Sequence, residues 1–453
     1  MDIKNRNVLV IGMGRSGIAA AEVLLSGGAR VTLYDAKAPG EIDPHMIQYF
    51  ISRDAVCCFG KEPEQVEAFD LAVISPGVPL ESNLVQRVLD AGVELIGEVE
   101  FAYRIGKGKY VAITGTNGKT TTTVLTGEIF KEAGRLTEVV GNVGLAAVKK
   151  AAKATDDTWL ITEISSFQLE TTSTFHPHIS ALLNLTPDHL DRHLSFEKYG
   201  AAKALIYKNQ KESDYFIVND DDQECRRLAE GCKARVIPFS RVKELDIGAF
   251  VKDGTMVIRD FTGRIHDICR VSEVGIPGSH NLENALAAAA ISFFAGIDTK
   301  IIGRTIEGFQ GVAHRLELAA TVNGVRFIND SKGTNTDASI KAIEAVEAPI
   351  ILIAGGYDKG SSFDSFIEAF GGKVKALILI GKTAGKIREA AGKHGFTNTF
   401  MAKNMEECVN ESFRIANPGD TVLLSPACAS WDMYLNFEQR GDHFKACVNN
   451  LEK

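Results

Sequence analysis

The residues best suited to chemistry lie in one glycine-rich run, Ile113-Thr-Gly115-Thr-Asn-Gly118-Lys119-Thr120-Thr121. It follows an apolar stretch, Tyr110 to Ile113, and precedes a helical pattern, Thr122 to Ala133. Backbone N–H groups in such a turn cradle phosphates. A lysine reaches the terminal phosphates, and a following hydroxyl sits near Mg²⁺. Gly115, Thr116, Asn117, Gly118, Lys119, Thr120 and Thr121 are therefore candidates for binding ATP. The full phosphate-loop pattern asks for glycine where this chain has Ile113, so the run is a variant.

A second run, Gly12-Met-Gly14-Arg15-Ser16-Gly17, also joins an apolar stretch to a helical pattern. Its glycines allow a tight turn and close approach of a pyrophosphate to a helix N-terminus. Asp35 ends the next apolar stretch, where an acidic side chain can hold a ribose hydroxyl. Alone, this run suggests a nicotinamide enzyme, or a tight turn with no ligand. A dehydrogenase has no use for the other run. An enzyme that uses ATP on a nucleotide-bearing substrate needs both.

These turns need parallel sheets behind them. Val8 to Ile11, Arg30 to Tyr34 and Leu71 to Ile74 read as buried strands, alternating with helical segments such as Gly17 to Leu25. A second series includes Tyr110 to Ile113, Trp159 to Thr162 and Ile179 to Leu183. A third runs through Arg326 to Ile328, Pro349 to Ile353, Ala376 to Ile380 and Thr421 to Leu424. The fold class expected is α/β, with three domains that are each a mostly parallel α/β sheet: 1–97, 98–310 and 311–453. The outer two read as Rossmann-like and the central one as a phosphate-loop ATPase domain. The stretch from about 213 to 275 reads as a small sheet inserted in the middle domain.

The 453 residues are 45% hydrophobic and 24% charged, as in a globular protein rather than a disordered one. A net charge of -8 argues against nucleic acid or an anionic membrane as partner. Eight scattered cysteines show no Cys-x-x-Cys pair, which suits a reducing compartment. The apolar run Ala285 to Ile297 is too short to span a bilayer, and Val8 to Met13, broken by Gly12, does not read as a signal peptide. A cytoplasmic monomer is expected.

Further motifs occur in order: Glu163-Ile-Ser-Ser-Phe-Gln168, Asn184-Leu-Thr-Pro-Asp-His-Leu-Asp191, Gly278-Ser-His-Asn-Leu-Glu-Asn284 and Ala313-His-Arg-Leu-Glu317. Asp330-Ser-Lys-Gly-Thr-Asn335, Ser425-Pro-Ala-Cys-Ala-Ser430 and Asn436-Phe-Glu-Gln-Arg-Gly441 complete the series. Together with Gly115 to Thr120 they resemble the Mur ligases of peptidoglycan synthesis. Ser-Ser-Phe-Gln, Asp-Ser-Lys-Gly-Thr-Asn and the last motif resemble the members that add D-glutamate.

The resemblance implies an ATP-dependent amide ligase. Its substrates would be UDP-N-acetylmuramoyl-L-alanine, D-glutamate and ATP, and the carboxylate would be activated as an acyl phosphate. It implies two Mg²⁺ ions, with Thr120, Glu163, His189 and a carbamylated Lys203 as ligands. A carbamate forms from a neutral amine, so Lys203 would need surroundings that lower its pKa; by composition alone it reads as a solvated lysine. The i, i+4 pair His189 and His193 lacks the following glutamate of a zinc helix, and His193 reads as structural.

By the same resemblance, Asn281 would hold the adenine side, Arg315 the ATP phosphates and Asp330 the ribose. Asn142 would lie near the muramoyl group or the transferred phosphate. Lys332 and Thr334 would reach the phosphate and the incoming amine. Ser425 and Tyr434 would hold the D-glutamate side chain, although the family often has Phe at the latter position. Gly14, Arg15, Ser16, Asp35, Ser75 and Gly77 are the candidates for the uridine end. Asp358 and Lys359 also look functional, although glycine-flanked charges make ordinary turns too.

Overall fold

A computed structural model describes residues 1–357 and 362–451; Asp358 and Lys359 lie outside the described residues. Close packing divides the chain into two units. The first comprises Met1–Leu185, Glu197–Val271 and Asn284–Ile306, and the second comprises Thr186–Phe196, Ser272–Glu283 and the chain from Glu307 onward.

The first unit holds two sheets. Strands β1 (Asn7–Ile11), β2 (Arg30–Asp35), β3 (Val56–Phe59), β4 (Leu71–Ile74) and β5 (Leu95–Gly97) form the first, in the order β3-β2-β1-β4-β5. Every pairing in it is parallel. Helices cover both faces of such a sheet, which is why the central strands are unbroken apolar runs: Val8 to Ile11 is almost fully buried.

The second sheet has nine strands. They are β6 (Lys109–Thr114), β7 (Thr137–Gly141), β8 (Trp159–Glu163), β9 (Ile179–Leu182), β10 (Tyr215–Asn219), β11 (Arg235–Ser240), β12 (Gly248–Lys252), β13 (Thr255–Arg259) and β14 (Ile265–Arg270), in the order β14-β13-β12-β11-β10-β9-β6-β8-β7. The stretch read as a separate inserted sheet is therefore the continuation of this one. β10 and β11 extend it in parallel, and β12, β13 and β14 close it as antiparallel hairpins. The turns at Asp253-Gly254 and around Gly263 allow those hairpins, each with its glycine at positive φ.

The second unit holds the third sheet: β15 (Glu317–Val322), β16 (Val325–Asn329), β17 (Ile350–Ala354), β18 (Val374–Leu379), β19 (Thr399–Met401) and β20 (Thr421–Leu424). Its order is β15-β16-β20-β17-β18-β19. Only β15 pairs antiparallel. Apolar clusters lie on both faces of it. All three sheets are thus mostly parallel and of α/β class, as the sequence suggests. No helix among the described residues is long and apolar enough to cross a membrane.

Candidate active site

The phosphate loop runs from the end of β6 into the helix Lys119–Glu132. Two constraints make residue 118 glycine: its φ is +80°, and an added Cβ would fall 2.2 Å from Asn284 Oδ1. Asn184, just after β9, clamps the loop. Its Oδ1 accepts the Asn117 N–H at 2.8 Å, its Nδ2 donates to the Asn117 carbonyl at 3.1 Å, and its own carbonyl accepts from Thr116 N–H at 3.0 Å. The Lys119 ammonium donates to the carbonyls of Gly115 (2.9 Å) and Thr116 (2.7 Å).

Glu163 ends β8 and is buried. Its Oε2 accepts from the Thr120 hydroxyl at 2.6 Å, and its Oε1 accepts from the Asn142 amide at 2.7 Å. Thr120, Glu163 and Asn142, three of the candidates singled out in the sequence, therefore meet through direct bonds.

Lys203 lies on the helix Phe196–Ala204 and is buried, contrary to the solvated lysine its surroundings in sequence suggest. Its Nζ donates to the Gly115 carbonyl at 2.8 Å and stands 4.6 Å from the centre of the Tyr199 ring. The Tyr199 hydroxyl lies 3.2 Å from Thr116 Oγ1. Two lysines thus share the Gly115 carbonyl. Tyr199, Asn184 and Asn284 escape a reading of the sequence alone. Asn184 and Asn284 stand inside recognisable motifs, but nothing in their type distinguishes a loop clamp from an ordinary turn residue.

A divalent cation takes hard oxygen ligands. The Thr120 hydroxyl and the Glu163 carboxylate offer them beside the phosphate loop, so the residues fit Mg²⁺. Among the described residues no three His, Cys, Asp or Glu side chains form a metal cluster.

The first glycine turn joins β1 to the helix Arg15–Ser26. Gly12 has φ +91°, and a Cβ on Gly17 would fall 1.9 Å from the Gly12 carbonyl. The Ser75 hydroxyl donates to that carbonyl at 2.8 Å. Asp35 Oδ2 accepts from Met13 N–H (2.8 Å) and Oδ1 from Lys37 N–H (3.0 Å), so Asp35 shapes the turn itself. Gly14 and Gly77 have open space where a Cβ would be, and Ser16 is half-buried beside Gly17. The Arg15 guanidinium donates through Nη2 to the carbonyls of Gly141 and Asn142.

In the second unit, His189 is held at φ +53° at the start of a one-turn helix, Leu190–His193, with His193 buried. The His189 backbone N–H donates to Asp188 Oδ1 at 2.9 Å, and Asp188 Oδ2 accepts from Asn335 Nδ2 at 3.1 Å. Asn281 donates to the Pro277 carbonyl at 2.6 Å. The neighbouring His280 is pushed down to about 3, by burial first and then by Arg315 and Lys341, so it is neutral.

Asp330 follows β16 and is fully buried. Arg315 Nη1 (3.2 Å) and Leu316 N–H (3.3 Å) donate to its Oδ1, and the Ser425 hydroxyl donates to its Oδ2 at 2.8 Å. Burial raises its pKa above the usual range despite Arg315. The structure therefore joins Arg315, Asp330 and Ser425 in one cluster. The cluster also needs Gly333, because a Cβ there would fall 2.6 Å from Asp330 Oδ2.

Lys332 Nζ stands 4.7 Å from the Phe437 ring centre, and Thr334 N–H donates to the Lys332 carbonyl at 2.9 Å. The Tyr434 hydroxyl lies 3.0 Å from His443 Nδ1, so its polar end is directed at the C-terminal helix Phe437–Asn449.

Three family descriptions match along the chain. They are Mur ligase MurD-like, N-terminal domain, over residues 6–97; Mur ligase middle domain, over residues 113–292; and Mur ligase, glutamate ligase domain, over residues 314–428. The chain is 49% identical over 456 residues to the UDP-N-acetylmuramoylalanine--D-glutamate ligase of Thermoanaerobacter sp. (strain X514), covering 100% of both. It is 44% identical over 453 residues to the enzyme of that name from Clostridioides difficile (strain 630), again covering 100% of both.

Among solved structures it resembles a pseudomurein peptide ligase type C from Methanothermus fervidus (TM-score 0.61, 18% identity, 99% of this chain and 100% of that one). It also resembles MurF from Acinetobacter baumannii (TM-score 0.62, 16% identity, 98% and 93%). At such identities the likeness concerns the fold alone.

Proposed function

The chain belongs to the Mur ligase family, and we propose that it joins D-glutamate to UDP-N-acetylmuramoyl-L-alanine, using ATP. In this reading residues 1–97 receive the uridine end, 98–310 bind ATP and 311–453 receive the amino acid. The observation that carries it is the hydrogen-bonded set Thr120–Glu163–Asn142 beside the Gly115–Thr121 loop, in a chain that matches D-glutamate ligases along its whole length.

The chemistry must bring a carboxylate to a triphosphate, two anions that repel unless cations lie between them. The sugar-nucleotide carboxylate attacks the γ-phosphorus; an O–P bond forms and the bond to ADP breaks. The amine of D-glutamate then attacks the acyl carbon. A C–N bond forms, the C–O bond to phosphate breaks, and the amine proton leaves with the phosphate.

Lys119 holds the phosphates, and Lys332 and Thr334 hold the incoming carboxylates. Thr120, Glu163, His189 and carbamylated Lys203 would hold two Mg²⁺ ions, which supply charge neutralisation at the transferred group. Arg315 would turn from Asp330 to the ATP phosphates, and Asn281 would face the adenine. Ser425 and Tyr434 set the choice of amino acid. The enzyme works as a monomer in the cytoplasm, where ATP is available.

An oxygen label decides the mechanism. With ¹⁸O in the substrate carboxylate, one ¹⁸O should appear in the released phosphate. Phosphate free of the label would contradict an acyl phosphate.

A further inference from the structure

Asn142 reaches Glu163 from the turn that follows β7, and this turn has little to hold it from within. Gly141 (φ +100°) and Gly144 (φ +71°) bend it, and a Cβ on either would strike backbone, at 2.2 Å from the Glu163 carbonyl and 2.6 Å from the Val139 carbonyl. Asn142 N–H donates to the Glu163 carbonyl at 2.9 Å, and Gly141 N–H to the Leu145 carbonyl at 3.0 Å. The carbonyls of Gly141 and Asn142 find their donor in the first sheet's helix: Arg15 Nη2 lies 3.3 Å and 3.0 Å from them.

The segment beyond the turn is held from the same side. Glu98 Oε1 accepts from Val148 N–H at 2.6 Å, and Glu22 pairs with Lys149 at 2.6 Å. The helix Ala147–Ala151 packs on the helices Arg15–Ser26 and Glu98–Ile105. Arg15 in turn stands within the field of the buried Glu98 carboxyl.

A continuous chain of bonds results: Arg15 to the Asn142 carbonyl, the Asn142 amide to Glu163, and Glu163 to Thr120 of the phosphate loop. Its first member opens the helix whose glycine turn is suited to a pyrophosphate. Both bonds to the turn use Nη2 of the guanidinium, and among the described residues no hydrogen bond takes Nε or Nη1, whose donors suit an anion.

From this juxtaposition we infer that Arg15 is a positioning residue for Glu163, through which a nucleotide bound at the first glycine turn tightens the phosphate loop's hold on Mg·nucleotide. An anion and two carbonyls together fix the guanidinium. The fixed guanidinium fixes the 141–145 turn, and the turn sets the Asn142 amide against the carboxylate. The inference rests on the proposed function for the identity of that nucleotide. Linkage makes the effect reciprocal.

Calorimetry of Mg·ADP binding, with and without UDP-N-acetylmuramoyl-L-alanine, tests it. In the unaltered protein the sugar nucleotide should tighten Mg·ADP about fivefold or more. In Arg15→Met, checked for an unchanged melting temperature, that ratio should fall to about one, whereas a ratio as large as in the unaltered protein overturns the inference. In turnover, Arg15→Met should lower kcat at saturating sugar nucleotide; a rise in KM with kcat unchanged would make Arg15 a plain substrate contact and overturn it as well.

Arg15→Met and Asn142→Ala should each weaken Mg·ADP, and the double variant no more than the single ones. Additive losses would overturn the inference. This last cycle needs no sugar nucleotide. If the unaltered protein fails to bind the sugar nucleotide, the functional reading falls, and the cycle still decides the positioning role.

Discussion

Lys203 is a buried cation beside a second lysine, both bonded to the Gly115 carbonyl. Lys119 is half-buried and Lys203 buried, and the proposed carbamate on Lys203 would put a carboxylate in place of one of the two ammonium groups. Lys203→Arg keeps the charge and cannot form the carbamate. Its turnover should fall about a hundredfold or more, as far as that of Lys203→Ala, measured by phosphate release. Activity retained in the arginine variant would make Lys203 a simple cation.

Glu98 gives a residue-level pH prediction. Burial raises its carboxyl from 4.5 to about 7, although Val148 N–H and Arg15 act to lower it. Its Oε2 has no hydrogen-bond partner among the described residues. The folded protein then binds this proton more tightly than the unfolded chain, so stability is lost as pH rises from 4.5 through 7. Glu98→Gln keeps the acceptor for Val148 N–H and removes the titration. Its melting temperature should exceed that of the unaltered protein above pH 7, with the advantage shrinking towards pH 5. The full effect is at most about 3 kcal/mol. Parallel melting curves across this range would contradict it.

At the scale of elements, the strands were legible because apolar β-branched runs have few other uses. Helix starts were less so: the helices begin at Arg15 and Lys119, before the apolar periodicity at Gly17 and Thr122, because their first turns are spent on the glycine loops. The stretch 213–275 was misplaced for a different reason. A strand's alternation reports its faces but not which sheet edge it joins, and β10 pairs with β9 through residues far earlier in the chain.

The loop's clamp was equally hidden, since Asn184 acts across 67 residues. Gly118→Ala tests that packing. It puts a Cβ at positive φ against Asn284 and should cost about 2–4 kcal/mol. Asn184→Ala should leave melting less affected but raise KM for ATP several-fold, because the loop amides lose their alignment. Steady-state kinetics and thermal melting separate the two.

At the scale of the molecule, three mostly parallel sheets and two glycine turns were readable from order alone, because each turn requires a strand before it and a helix after it. The site was readable less evenly. Thr120, Glu163 and Asn142 meet as their types suggest. Arg315, Asp330 and Ser425 are expected at ATP and D-glutamate, yet bond to one another, since a buried carboxylate takes the nearest donors. The tasks given to both units belong to one reaction, and the most direct test asks for all of its substrates at once. Phosphate release from Mg·ATP should be measured with UDP-N-acetylmuramoyl-L-alanine and, in turn, D-glutamate, L-glutamate, L-lysine or diaminopimelate. Release that requires both the sugar nucleotide and D-glutamate is the expected result; release with another amino acid, or with none from folded protein, would contradict the account.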